Sequence, residues 1–125
     1  DFILRARVKF IGEGVNAHRK FGIMVRDTLN GESAHINAVV HGDGLTSLQY
    51  RSSVGNDTEE MKSTAIGPNI IQLERIDNTF IFSSAIEGKL NNKEMLIIDK
   101  FLLFNIWKII NQLSQQGSRA VILKR

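Results

Sequence analysis

Cysteine is absent from this chain of 125 residues, which also has only one proline, one tryptophan and one tyrosine. Without cysteine the chain can form neither a disulfide nor a thiolate metal site, and its redox compartment stays undecided. The chain also lacks a strong excess of charge of either sign, because its 16 lysines and arginines are scattered among 13 acidic residues. No basic stripe with interleaved aromatic residues is present, which argues against nucleic-acid binding.

Sequence signatures of catalysis are also lacking. The chain has no Gly-x-Ser-x-Gly elbow, no phosphate-binding loop and no dinucleotide fingerprint. Glycosidases need two carboxylates held across the scissile bond. The candidates here are Glu59, Glu60, Glu74 and Glu87. They form no closely spaced acidic strand motif, and adjacent Glu59 and Glu60 would point to opposite faces of a strand. We therefore expect no catalytic residue, no enzymatic activity and no cofactor.

Metal binding is not expected either. His35 and His41 would share one strand face about 20 Å apart, which is too far to ligate one ion together. His18 lies outside that predicted strand. Asp43, between two glycines, supplies one carboxylate where calcium needs several oxygens, so we expect it to serve the turn instead.

Short strands separated by turn residues dominate the first two thirds of the chain. Apolar and basic residues alternate strictly from Phe2 to Phe10, and similar alternation flanks the turn residues Gly42-Asp43-Gly44. This pattern predicts a β-hairpin within an all-β fold. The predicted strands cover about 2–10, 21–26, 35–41, 46–51, 59–64, 70–76 and 79–84. Their spacing predicts an antiparallel β-sandwich over residues 1–88.

The remaining residues, 89–125, have a different pattern. Large apolar side chains recur at helical spacing over Met95–Leu113, and this run predicts a helix. Charged side chains interrupt the run, so we expect no membrane span. We expect the helix to pack on an apolar sheet face of the same domain. A last strand through Val121 can follow within residues 118–125.

Polar side chains are expected to point outward from the predicted strands. Amide, guanidinium and carboxylate groups on a sheet face can hydrogen-bond sugar hydroxyls. An ordinary solvated sheet face follows from the same alternation, so both interpretations stay open at this point. The candidate ligand-binding residues are Arg26, Asn37, His41, Gln49, Arg51, Gln72 and Glu74.

A family resemblance extends over residues 1 to about 85. The segments that carry it are Asp1–Leu4, Phe10–Lys20, His41–Arg51 and Ile71–Arg75. This stretch resembles a bacterial family of concanavalin A-like β-sandwich modules of uncharacterised function. Such modules are jelly-roll domains of secreted or periplasmic proteins, sometimes beside a Tol-type β-propeller. The resemblance thus implies an extracytoplasmic location.

The resemblance also implies a function. Similar sandwiches bind glycans, so we expect a non-catalytic module that recognises a glycan or another cell-envelope component within a larger bacterial protein. Two alternatives stay open: a carbohydrate-active hydrolase, and a structural accessory domain that packs on a neighbouring β-propeller. The family further implies strands before Asp1 and closing strands in place of the Met95–Leu113 run. These departures from the family indicate a truncated or divergent copy. Because the chain opens within a strand, we also expect it to be part of a longer protein.

Overall fold

The structure is a computed structural model that describes residues 1–12, 14, 16–88, 94–98 and 121–123. Within these ranges the secondary structure consists of strands and turns, with no helix. The strands are β1 (Phe2–Arg7), β2 (Lys20–Arg26), β3 (His35–His41), β4 (Leu45–Arg51), β5 (Glu59–Ile66), β6 (Ile70–Ile76), β7 (Thr79–Ala85), β8 (Glu94–Ile98) and β9 (Val121–Leu123).

The strands form two antiparallel sheets. The five-stranded sheet has the order β8-β7-β6-β1-β9, and the four-stranded sheet has the order β2-β3-β4-β5. The pairings between described neighbouring strands are all antiparallel. The predicted all-β, antiparallel sandwich is therefore confirmed.

The hydrophobic core lies between the two sheets because alternate residues of each strand point toward it. Phe80 and Leu73 from the five-stranded sheet are completely buried, as are Ile36 and Leu48 from the four-stranded sheet. The rings of Phe2 and Phe80 meet edge to face, with 6.2 Å between their centroids. Burial of each such side chain stabilises the fold by about 1.5–3 kcal/mol. The buried core cluster comprises Phe2, Leu4, Val25, Ala34, Ile36, Ala38, Val40, Leu48, Ile71, Leu73, Phe80 and Phe82.

The predicted hairpin is present between β3 and β4. Gly44 has a φ of 90°, a left-handed conformation that favours glycine, and its N–H donates to the carbonyl of His41 at 2.9 Å. The Asp43 carboxylate accepts the N–H of Leu45 at 3.0 Å. Asp43 therefore has the turn role that its position between two glycines predicts.

The predicted helix over Met95–Leu113 is wrong at its start. Residues 95–98 lie in β8, which pairs with β7 through Phe82 opposite Leu96. A short apolar run fits a strand as well as a helix, and here pairing with the edge of β7 decides between them. The rest of the predicted helix lies outside the described residues. The predicted last strand is confirmed as β9, which pairs with β1.

The described ranges contain no helix with the length and apolar character that crossing a bilayer requires.

Candidate functional site

The seven candidate ligand-binding residues do not share one face. Gln72 and Glu74 belong to β6 in the five-stranded sheet, whereas the other five belong to β2, β3 and β4 in the four-stranded sheet. Because both sets point away from the core between the sheets, they lie on opposite sides of the sandwich. The polar residues therefore form two separate surfaces.

Gln72 and Glu74 interact with neighbouring protein side chains. The side-chain carbonyl of Gln72 accepts a hydrogen bond from Arg5 Nε at 2.8 Å. Its amide nitrogen donates to Glu74 Oε2 at 3.5 Å. Glu74 is buried, with only 8% of its surface exposed. This side of the sandwich therefore does not present the open carboxylate that sequence alternation predicts.

Arg26 and Arg51 hold the loop of residues 27–34, which connects β2 to β3. Arg26 donates through Nε to the Thr28 carbonyl at 2.8 Å and through Nη2 to the Asn30 carbonyl. Arg51 donates through Nη1 to the Gly31 carbonyl at 2.7 Å. Both guanidinium groups are thus engaged by backbone oxygens of this loop.

His35 lies between these two arginines in the register of the sheet, where it pairs with Arg26 on one side and Arg51 on the other. Burial lowers the pKa of His35, and the positive charges of Arg51 and Arg26 lower it further. Its Nδ1 atom lies 3.2 Å from the Ser33 carbonyl, and this hydrogen bond raises the pKa of His35. The ring is therefore neutral at pH 7.

A second group of polar side chains surrounds Glu60 on the outer face of the four-stranded sheet. We refer to Lys20, His41, Ser47, Gln49, Glu60 and Lys62 as the Glu60 cluster. Oε1 of Glu60 accepts hydrogen bonds from Ser47 Oγ at 2.8 Å and from Gln49 Nε2 at 2.7 Å. Oε2 lies 3.9 Å from the ammonium group of Lys62. The two oxygens thus differ: one is held by internal donors and the other faces a lysine.

The amide of Gln49 is fixed by neighbours on three strands. Its Nε2 donates to Glu60 on β5, so its Oε1 points the other way and accepts from Lys20 Nζ on β2 at 3.3 Å. The same Nε2 lies 3.5 Å from Nε2 of His41 on β3. His41 Nε2 is also 3.8 Å from Glu60 Oε1. The cluster therefore crosses all four strands of the sheet.

The charges in the cluster follow from these contacts. The hydrogen bond from Gln49 lowers the pKa of Glu60, and the Ser47 hydroxyl and Lys62 add to this against the opposing effect of burial. Burial lowers the pKa of His41, as does the charge of Lys20, while the Glu60 carboxylate raises it. At pH 7 the Glu60 side chain is thus a carboxylate and the His41 imidazole is neutral.

Three of the seven candidates lie in or beside this cluster. His41 and Gln49 belong to it, and Asn37 pairs directly with Gln49 across β3 and β4. The sequence interpretation missed Lys20, Ser47 and Lys62, and it considered Glu60 only as a catalytic carboxylate. The pairing of Gln49 with Glu60 depends on the register between β4 and β5, which contains an irregularity between Leu45 and Ser47. Alternation within one strand carries no signal for that register.

Acidic residues near Glu60 are placed as the sequence predicts. Glu59 pairs with Tyr50 on the opposite face of β5, where it accepts the Tyr50 hydroxyl at 2.8 Å. Adjacent Glu59 and Glu60 therefore lie on opposite faces of β5. The described ranges contain no group of three histidine, cysteine or acidic side chains suited to a metal ion.

Comparison of the chain with protein-family models, with curated proteins and with solved structures found no match.

Proposed function

We propose that this protein is a non-catalytic binding module that recognises a glycan through the Glu60 cluster. The observation that carries the proposal is a fixed amide and a charged carboxylate placed side by side on an outer sheet face, with a lysine on each side. The wider setting, a larger extracytoplasmic bacterial protein with a cell-envelope ligand, is supported by the resemblance of residues 1–85.

The exposed groups of the cluster suit sugar hydroxyls, which both donate and accept hydrogen bonds. Oε2 of Glu60 is an acceptor, and the ammonium groups of Lys20 and Lys62 are donors. The Glu60 side chain is 28% exposed and that of Lys62 is 66% exposed, so a ligand can reach both. Hydrogen bonds to charged groups are stronger than those between neutral groups, which favours this site over an uncharged polar face.

The cluster is also organised before any ligand binds. Ser47 and Gln49 hold Oε1 of Glu60, and Lys20 holds the Gln49 carbonyl oxygen. Side chains that are already ordered lose less conformational entropy on binding, which improves affinity without further contacts.

Glycan-array screening followed by calorimetric titration of the best ligand tests the proposal. We expect Gln49→Ala to weaken binding by about tenfold or more, because it removes the group that orients Glu60; one lost interaction of about 1.4 kcal/mol has this effect. Gln72→Ala, on the opposite side of the sandwich, is the matched control and should bind as the wild type does. The absence of any glycan ligand, or equal affinities of the two variants, would contradict the proposal.

Two further measurements distinguish the alternatives. Turnover of a glycosidase substrate panel that is lost in Glu60→Gln would favour a carbohydrate-active hydrolase. A folded protein that binds no glycan but associates with a purified β-propeller domain would favour a structural accessory domain. The non-catalytic module requires binding without turnover.

A further inference from the structure

A cavity of about 230 Å³ opens at one end of the sandwich. Its walls come from the segment after β1, the start of β2, the end of β3 and the turn before β6. The side chains that make it apolar are Val8, Phe10, Phe21, Val40 and Pro68.

Backbone hydrogen bonds hold the walls of this cavity. The Val8 N–H donates to the Asn69 carbonyl at 2.9 Å, and the Gly67 N–H donates to the Gly44 carbonyl at 2.8 Å. The rings of Phe10 and Phe21 pack with 4.6 Å between their centroids. The cavity is therefore preformed in the described residues, as is usual for small-molecule sites.

The size of the cavity limits what it can hold. Protein interiors leave few voids larger than a water molecule, and an apolar cavity of about 150 Å³ is known to accept benzene. A volume of about 230 Å³ is thus sufficient for a short alkyl chain. Apolar surface continues beyond the opening, since Ile11 is 89% exposed next to Phe10 and Ile66 is 64% exposed next to Gly67.

The charge around the opening is positive. Lys9 lines the cavity and is exposed, and the Arg19 guanidinium lies 4.1 Å from the centre of the Phe10 ring. The described residues that line the cavity include no carboxylate. Asp43, in the adjacent turn, uses Oδ1 to accept the Leu45 N–H. An apolar interior beside the cations Lys9 and Arg19 fits a ligand with an alkyl tail and an anionic head.

We propose that this cavity binds the alkyl chain of a medium-length aliphatic carboxylate, with Lys9 at the carboxylate. The site differs from the proposed glycan site in residues and chemistry, although His41 lines the cavity as well as belonging to the Glu60 cluster. The two sites are therefore tested with variants that leave His41 unchanged.

Titration with sodium octanoate, followed by NMR or calorimetry, tests this proposal. Octylammonium and octan-1-ol have the same chain with a positive or neutral head, and we expect both to bind more weakly than octanoate. Lys9→Gln should weaken octanoate binding about fivefold to tenfold and leave octanol binding unchanged. Arg5→Gln removes the same charge from the outer face of the five-stranded sheet, and it should bind octanoate as the wild type does.

A second variant tests the cavity itself. Val8→Phe places a ring in the opening, and it should abolish binding of octanoate and octanol alike while circular dichroism reports an intact fold. Vesicles of anionic phospholipid distinguish the source of the ligand: vesicle binding displaced by octanoate assigns a lipid, and octanoate binding without vesicle binding assigns a free carboxylate. No octanoate binding by the wild type, equal binding of octanoate and octylammonium, or equal effects of Lys9→Gln and Arg5→Gln would overturn the proposal.

Discussion

Arg51 connects two loops at one end of the four-stranded sheet. The variant Arg51→Ala tests whether this side chain stabilises the fold or binds a ligand. Nη1 donates to the Gly31 carbonyl at 2.7 Å and approaches the Ser33 carbonyl at 3.5 Å. Nη2 donates to Thr58 Oγ1, in the loop between β4 and β5, at 3.4 Å. A cation bound in this way holds both loops against the sheet, so its removal should destabilise the fold.

The expected cost follows from the three contacts. A hydrogen bond from a charged donor contributes about 1.5–3 kcal/mol to stability, and the short bond from Arg51 to the Gly31 carbonyl is of this kind. The two longer contacts add only about 0.5 kcal/mol or less each, because hydrogen bonds weaken beyond about 3.2 Å. The Gly31 carbonyl lies in an exposed turn where water can replace the guanidinium, which reduces the cost. We expect Arg51→Ala to lower the free energy of unfolding by about 2 kcal/mol, and Tm by roughly 8 °C.

Urea denaturation followed by circular dichroism measures this cost. Arg5→Ala is the control, since Arg5 is exposed and its side-chain bond is to Gln72 on the surface. We expect that control to cost less than about 1 kcal/mol. If Arg51→Ala unfolds within about 0.5 kcal/mol of the wild type and loses glycan binding, Arg51 faces the ligand and its structural role is refuted.

Two further predictions concern the hairpin turn and pH. Gly44→Val should destabilise the fold by more than Gly55→Val does. Both glycines have positive φ, but their surroundings differ: a Cβ at Gly44 would lie 2.9 Å from a methyl carbon of Ile66, whereas a Cβ at Gly55 would meet open space. The left-handed conformation alone costs about 1–2 kcal/mol, so equal thermal midpoints for the two variants would contradict the turn contact. Stability should also fall as pH drops below about 6.5, because the pKa values of His35 and His41 are lowered in the folded state and the unfolded chain takes up protons first. The lowered pKa of Glu60 adds a second loss of stability below about pH 4.5, where the unfolded chain takes up a proton first. A urea midpoint that stays constant between pH 7 and pH 5 would contradict the lowered pKa values of the two histidines.

The strands of the sandwich could be predicted from sequence because period-two burial is a local property. Alternation from Phe2 onward predicts β1, although the strand ends at Arg7 rather than at Phe10. The turn residues before Gly44 predict the hairpin, since few backbone conformations close so short a connection. In contrast, the apolar residues of the run that begins at Met95 recur at helical spacing, but several of them are also strand formers. Pairing with β7, which lies outside that run, determines its structure.

The candidate site could be predicted only in part. Outward placement of His41 and Gln49 follows from alternation, and the structure brings both into one cluster. Their partner Glu60 follows the connection after β4, so its position depends on the conformation of residues 52–58 and on the register of β5. Arg51 shows the opposite case. It points outward as alternation predicts, but its partners are loop carbonyls that no sequence pattern places.

The order of strands in the two sheets has a consequence for how the chain folds. The four-stranded sheet joins consecutive strands through short loops, so each pairing forms with little loss of chain entropy. β1 has no such neighbour: Ile3 pairs with Glu74 on one side and with Leu123 on the other. Pairings between segments so distant in sequence form slowly. We therefore expect the four-stranded sheet to form early, while β1 remains unpaired and exposed to aggregation until β6 is available.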